Sequence, residues 1–202
     1  KIRSHTAGVR PVCRPPPDKM ILNSREGMKM SIFNVLEFGA AGDGVHNDAP
    51  AIQKAIDACA NSGGGRVLLP GGKTYLAASI ELKSHVDLHI SHGAVLKTAH
   101  DLALLCPPFL QEAFYQNTKL VFIYARGQTD IAISGTGVID GNAEEFIDTR
   151  SEYLDTSSKD RPTTIMFENC SHCVFRDFTV RNASFWTLHP LGCYDVSVFG
   201  VR

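Results

Sequence analysis

The chain has 202 residues and is 44% apolar, enough for one unit with a substantial buried core. Its formal net charge is −1 and it contains no run of five like charges, so it has no electrostatic footprint for DNA or RNA, and nucleic acid is not expected as a partner. No apolar stretch approaches the roughly 20 residues that span a bilayer, and no membrane is expected; the first 30 residues also hold no apolar block for a signal-peptide core, which favours the cytoplasm if this N-terminus is complete.

Residues 1–27 carry a Pro-rich patch (Pro11, Pro15, Pro16, Pro17), scattered Arg and no periodicity. They are expected to be disordered or foreign to the natural product, with a functional tail as the alternative. Regular patterning begins after Met28 and Met30, so 28–202 is expected to form the N-terminal part of a domain that is cut off at its C-terminal end. Val35, Phe38 and a small-residue turn (Gly39, Gly42, Asp43, Gly44) lead to Asn47-Asp48-Ala49-Pro50, where an Asx cap and a first-turn Pro announce a helix. Ile52, Ala55, Ile56 and Cys59 recur at i, i+3, i+4 and i+7, which predicts an amphipathic helix over 48–60, ended by Gly63-Gly64-Gly65.

Short strands follow, with hardly another helical period. Val86–Ile90, Ile131–Ile133, Cys173–Phe175 and Val196–Val198 alternate apolar with other residues, and each follows His or Asp: His85, Asp130, His172, Asp195. Cys170 and Cys193 lie 23 positions apart, as do Cys173 and Val196. A unit of one short strand set and polar turns cannot close a core alone and must stack on its neighbours. The step suits one coil of a parallel β-solenoid, about 4.8 Å from the next. Longer steps hold insertions at Thr98–Asn117 and Gly141–Arg161, and the helix would cover the open first coil. The expected fold is all-β, a parallel β-helix with an N-terminal capping α-helix, with Cys170 and Cys193 as stacked, reduced thiols.

The order Phe38-Gly-Ala-Ala-Gly-Asp-Gly44, Asn47-Asp48, Tyr75-Leu76, Ile80–Ser84, Gly93-Ala94-Val95-Leu96, Gly135–Gly141, Arg161-Pro162 and Phe185-Trp186-Thr187-Leu188-His189-Pro190 resembles the N-terminal half of glycoside hydrolase family 28, the polygalacturonases. The resemblance implies a right-handed parallel β-helix, a pectic polysaccharide or oligogalacturonide as partner, and no cofactor. It also implies inverting hydrolysis of α-linked galacturonic acid, with carboxylates on the two sides of the bond roughly 6.5–9.5 Å apart. The family's sets, Asn-x-Asp, Asp-Asp, Gly-His-Gly and Arg-x-Lys, lie C-terminal to the Trp-Thr-Leu-His element. None occurs after His189, so no catalytic residue is assigned to this chain; the sets are expected beyond Arg202, and the 202 residues alone are expected to be inactive. The alternatives are another β-helix pectin or rhamnogalacturonan enzyme, lyases included, and a non-catalytic polysaccharide-binding β-helix.

The binding candidates are Trp186 and His189, since an aromatic face suits sugar C–H surfaces and an imidazole bonds hydroxyls or carboxylates; the alternative is that both pack on the neighbouring coil. Asp140 reads as a turn former before Gly141. Glu144, Glu145, Asp148, Glu152, Asp155 and Asp160 read as a solvated acidic insertion, or as a wall of a cleft. His85, Asp87 and His89 at i, i+2, i+4 share one strand face, but without a further ligand no metal is assigned. Cys170-Ser-His-Cys173 reads as core packing, because Cys173 falls in register with inward apolar residues, and the six cysteines show no disulfide framework.

Overall fold

The computed structural model describes residues 30–105, 120–147 and 161–202; the leader expected over 1–27 lies outside the described residues. The first coil runs through β1 (Ile32–Asn34), β2 (Asp43–Asn47) and α1 (Ala49–Asn61). The second holds β3 (Gly65–Leu69), β4 (Thr74–Ala77) and β5 (Ile80–Glu81), and the third β6 (Val86–Ile90), β7 (Val95–Thr98) and β8 (Val121–Arg126). Then come β9 (Thr129–Ser134), β10 (Val138–Asp140) and β11 (Thr163–Glu168), followed by β12 (Ser171–Arg176), β13 (Thr179–Arg181), β14 (Leu188–Leu191) and β15 (Tyr194–Phe199). Every pairing is parallel and joins neighbouring coils, giving three sheets: A (β1-β3-β6-β9-β12-β15), B (β2-β4-β7-β10-β13) and C (β5-β8-β11-β14). This is the expected parallel β-helix.

The core is a set of apolar columns, one or two per sheet. On sheet A, Val67, Leu88, Ile133 and Phe175 stand in register, and so do Ile131, Cys173 and Val196. On sheet B the column is Tyr75, Leu96, Ile139 and Val180; on sheet C it is Ile80, Ile123, Ile165 and Leu188. Alternation with period two sends these side chains inward, where no solvated partner exists and burial is the driving term. Tyr75 is fully buried and satisfies its hydroxyl on the Pro70 carbonyl at 3.0 Å; burial pushes its pKa up to about 12.

The corner before sheet A fixes the start of each rung. His85, Asp130, His172 and Asp195 all have left-handed backbone, φ between 51° and 65°. Asp and His are among the few non-glycine types that enter this region at modest cost. Their side chains form an alternating ladder: His85 Nδ1 lies 3.3 Å from Asp130, Asp130 lies 3.4 Å from His172 Nδ1, and His172 Nε2 lies 3.7 Å from Asp195. About half exposed, these pairs add little stability singly, and the turn geometry is their main product. One coil earlier the corner residue is Gly64 (φ 107°), where a Cβ would strike the His85 backbone.

Helix α1 occupies the place that a sheet C strand would take in the first coil. Ile52, Ala55, Ile56 and Cys59 are fully buried in the main core, as the periodicity predicts. The helix also closes the open sheet edge: Gln53 Nε2 donates to the Glu81 carbonyl (3.1 Å) while Gln53 Oε1 accepts from Glu81 N (2.9 Å), so one side-chain amide pairs with β5 as a neighbouring strand would. The Asx side chain at the start of the helix is that of Asn47. Asn47 Oδ1 accepts from Ala49 N and from Ala78 N of the next coil, whereas Asp48, already in helical backbone, turns its carboxylate back onto Ala41 N and Gly42 N.

Replacing Ile56 with Asp buries a charge with no partner and is expected to cost at least about 3 kcal/mol. Urea titration followed by circular dichroism measures it; an unchanged midpoint would mean that α1 is not docked.

Candidate functional site

Both long insertions leave the same corner, between sheets B and C, after β7 and after β10; residues 106–119 and 148–160 of them lie outside the described residues. The site expected from the sequence lies beside this corner, on the outer face of sheet C. Because Ile80, Ile123, Ile165 and Leu188 face the core, the residues after them form an outward column in register: Glu81, Tyr124, Met166, His189. Val121, Tyr124 and Leu191 pack around Met166 as a small apolar cluster separate from the main core. Burial, with the Glu81 carboxylate adding, pushes Tyr124 up to about 12, so its hydroxyl stays neutral. Two residues further along the strands, Arg126 and Glu168 pair at 3.3 Å.

Trp186 and His189 come together at the end of this column. Left-handed Asn182 starts the β13–β14 turn, and the Thr164 N–H anchors it on the Trp186 carbonyl at 2.8 Å. Ser184 is buried, its Oγ donating to the Pro162 carbonyl (3.2 Å), while Arg161 Nη1 donates to the Ser184 carbonyl (3.0 Å) and lies 4.9 Å over the Phe185 ring. Phe185 meets Trp186 edge on, with centroids 5.9 Å apart. The Trp186 and His189 rings lie 5.4 Å apart and tilted by 31°, and Trp186 is 54% exposed. Trp186 is therefore not packed onto the preceding coil. It extends the imidazole into one open aromatic surface whose backing, Arg161 on Phe185, was not foreseen; adjacent Arg161-Pro162 and Phe185-Trp186 were the only signal.

The other sequence candidates have structural partners. Asp140, the last residue of β10, is buried; Oδ1 accepts from Asn142 N (3.0 Å) and Asn182 Nδ2 (3.2 Å), and Oδ2 from Arg181 Nε (2.8 Å). It ties two coils at the B–C corner, beyond the expected turn role. Glu145 closes a short 3-10 turn, 4.0 Å from His100; Asp148, Glu152, Asp155 and Asp160 lie outside the described residues. Cys173 is fully buried, and Cys170 stands opposite Cys193, with Cys170 N 3.4 Å from Cys193 Sγ and both thiols free. Burial raises the Cys170 and Cys173 thiols, Cys173 to about 12.

His85, Asp87 and His89 do not share a face. His85 sits at the corner with Asp130, while Asp87 and His89 lie on the outer face of sheet A and bond to Ser134. Among the described residues no three His, Cys, Asp or Glu side chains converge to hold a metal. Burial, then the Arg66 charge, holds His89 below its ordinary 6.5. The unfolded chain therefore takes up this proton first, and the stabilisation is complete above about pH 6.5 and is lost as the pH falls through the lower folded value. Melting temperature should drop between about pH 7.5 and about pH 5, and His89→Asn, whose amide can still reach Ser134, should flatten that drop; identical pH profiles for the two proteins would refute it.

Comparison with known proteins agrees with this geometry. Residues 32–97 match the family model "Rhamnogalacturonase A/epimerase, pectate lyase-like". A polygalacturonase of Juniperus ashei is 26% identical over 85% of this chain and 33% of its own. The family 28 exopolygalacturonase of Yersinia enterocolitica superposes with a TM-score of 0.70 at 25% identity, over 86% of this chain and 38% of that one. Plasmin and fibronectin-binding protein A of Streptococcus pneumoniae is 44% identical over a shorter stretch, 39% of this chain and 11% of its own. The chain spans about a third of the length of the curated polygalacturonases it matches. Coil path, sheet register and these matches define a right-handed parallel β-helix of the pectate lyase-like class. Within that class the chain is similar to polygalacturonases, among them an exopolygalacturonase of glycoside hydrolase family 28.

Proposed function

We propose that this chain forms the helix-capped part of a polygalacturonase-type hydrolase and contributes Trp186 and His189 to a surface that binds α-1,4-linked galacturonic acid. The observation that carries the reading is the exposed Trp186 ring, held against His189 at the end of the outward column of sheet C. A pyranose offers such a face its C–H surface, and the imidazole supplies the polar contact that orients the sugar. The coil path supports placing the chemistry on the same sheet. Val180 N and Arg202 N bond across to Arg202 O and Phe178 O, so the rung after β15 lies on sheet B, and a strand following it would return to sheet C beside β14. A family set placed there would stand one coil from His189, and stacked coils give carboxylates the fixed separations that inverting hydrolysis needs.

None of the family's carboxylate sets follows His189 in these 202 residues, so the chain alone is proposed to bind without cleaving. The likeness to the pneumococcal plasmin and fibronectin-binding protein keeps a second reading in view, a β-helix that binds and does no chemistry. A reducing-sugar assay on polygalacturonate with the gene product that includes the residues after Arg202 separates them. Hydrolysis is expected, with Trp186→Ala raising KM about tenfold, equivalent to ~1.4 kcal/mol, at little cost in stability. A stable product with neither an Asp-Asp pair nor activity would leave the binding module as the function.

A further inference from the structure

Away from sheet C, the outer face of sheet A carries a second polar arrangement. Arg66 Nε and Nη2 lie 2.9 and 2.8 Å from Asp87 Oδ2, and Ser134 Oγ donates to Asp87 Oδ1 at 2.6 Å. A salt-bridged carboxylate only accepts, so the Ser134 proton is committed to Asp87, and Ser134 Oγ must accept from its other neighbour, His89 Nδ1, at 2.8 Å. The network thereby fixes the tautomer: Nδ1 carries the hydrogen, and Nε2 is a bare acceptor. Ser134 is 1% exposed, so the relay is shielded from competing water.

On the next coil, Phe175 pairs with Ile133, which puts Arg176 opposite Ser134 in the same outward column as His89. The guanidinium of half-buried Arg176 has no hydrogen bond or ion pair among the described residues. It is near enough to His89 that its charge, after burial and Arg66, helps disfavour the imidazolium. A cation without a counter-ion among the described residues thus stands in the same column as a neutral acceptor, two coils along, with Ser134 between them. An anion that only accepts would satisfy the guanidinium and meet the Nε2 lone pair unfavourably, whereas a hydroxy acid answers both.

We propose that Arg176 and His89 form a binding site for the hydroxy-carboxylate edge of an acidic sugar, the carboxylate on the Arg176 guanidinium and a neighbouring hydroxyl donating to His89 Nε2. The site lies on a different sheet from Trp186 and His189 and does not depend on the function proposed for them. In an extended acidic polymer it would provide a second point of attachment, and two linked contacts hold a chain more tightly than either alone.

The test is a titration of the folded chain with galacturonate, galactose and sulfate, following the His89 imidazole by proton–nitrogen NMR. Galacturonate should shift the His89 resonances saturably and bind at least tenfold more tightly than galactose or sulfate. Arg176→Gln and His89→Asn should each weaken it at least tenfold, and Trp186→Ala should leave the His89 shift intact. Sulfate binding as well as galacturonate would overturn the hydroxyl contact. An unmoved His89 signal, or equal affinity in Arg176→Gln, would overturn the site, and binding lost only in Trp186→Ala would place the sugar on sheet C alone.

Discussion

A parallel coil keeps its backbone hydrogen bonds only if every rung begins at the same point, and here that condition rests on the corner before sheet A. Four stacked residues, His85, Asp130, His172 and Asp195, hold left-handed backbone there, and the one before them is glycine. Left-handed geometry turns the chain sharply at constant offset, so the strands start in register whatever the length of the preceding loop. The insertions after β7 and β10 are tolerated for that reason: the path returns to the same corner, and the apolar columns of all three sheets remain aligned. A β-branched residue at Asp130 or His172 would shift one rung and with it every inward side chain of that strand.

The same register builds the outer surface. Once Ile80, Ile123, Ile165 and Leu188 stack inward, Glu81, Tyr124, Met166 and His189 must stack outward, and the Arg161-backed turn carries Trp186 beside the last of them. Function on this fold is thus a by-product of period two on a repeated coil, with loops at one corner free to vary. At the other end of the stack the sheet edge needs an imitation strand, which the Gln53 amide supplies to β5.

Much of this was legible in the chain. The four rungs found by alternation all belong to sheet A, because β6, β9, β12 and β15 are five or six residues long and repeat their pattern with His or Asp in front. Sheets B and C were not picked out by alternation: β5 has two residues and β10 and β13 have three, too few to alternate, while the six-residue β8 and β11 are buried at nearly every position and so do not alternate. The helix was plain from its apolar face, but its cap was not, since Asn47 and Asp48 are equally good capping types and only the adjacent turn decides between them. At the site, Trp186 and His189 were found as residue types in a turn; their ring contact needed the anchoring of Thr164 and Arg161 from the previous coil, which no local pattern encodes. His85, Asp87 and His89 misled because their spacing assumes an unbroken strand, and the left-handed His85 lies before it.

The central claim is that the Trp186–His189 surface of sheet C receives the sugar, and the chain offers its own reporter, since Trp186 is its single tryptophan. Intrinsic fluorescence can be followed while trigalacturonate is added, with calorimetry on the same samples. A saturable change in Trp186 emission is expected, with the calorimetric midpoint, and its loss in a folded His189→Ala variant. Calorimetric binding with unchanged Trp186 emission would contradict the claim and put the sugar elsewhere on the coil.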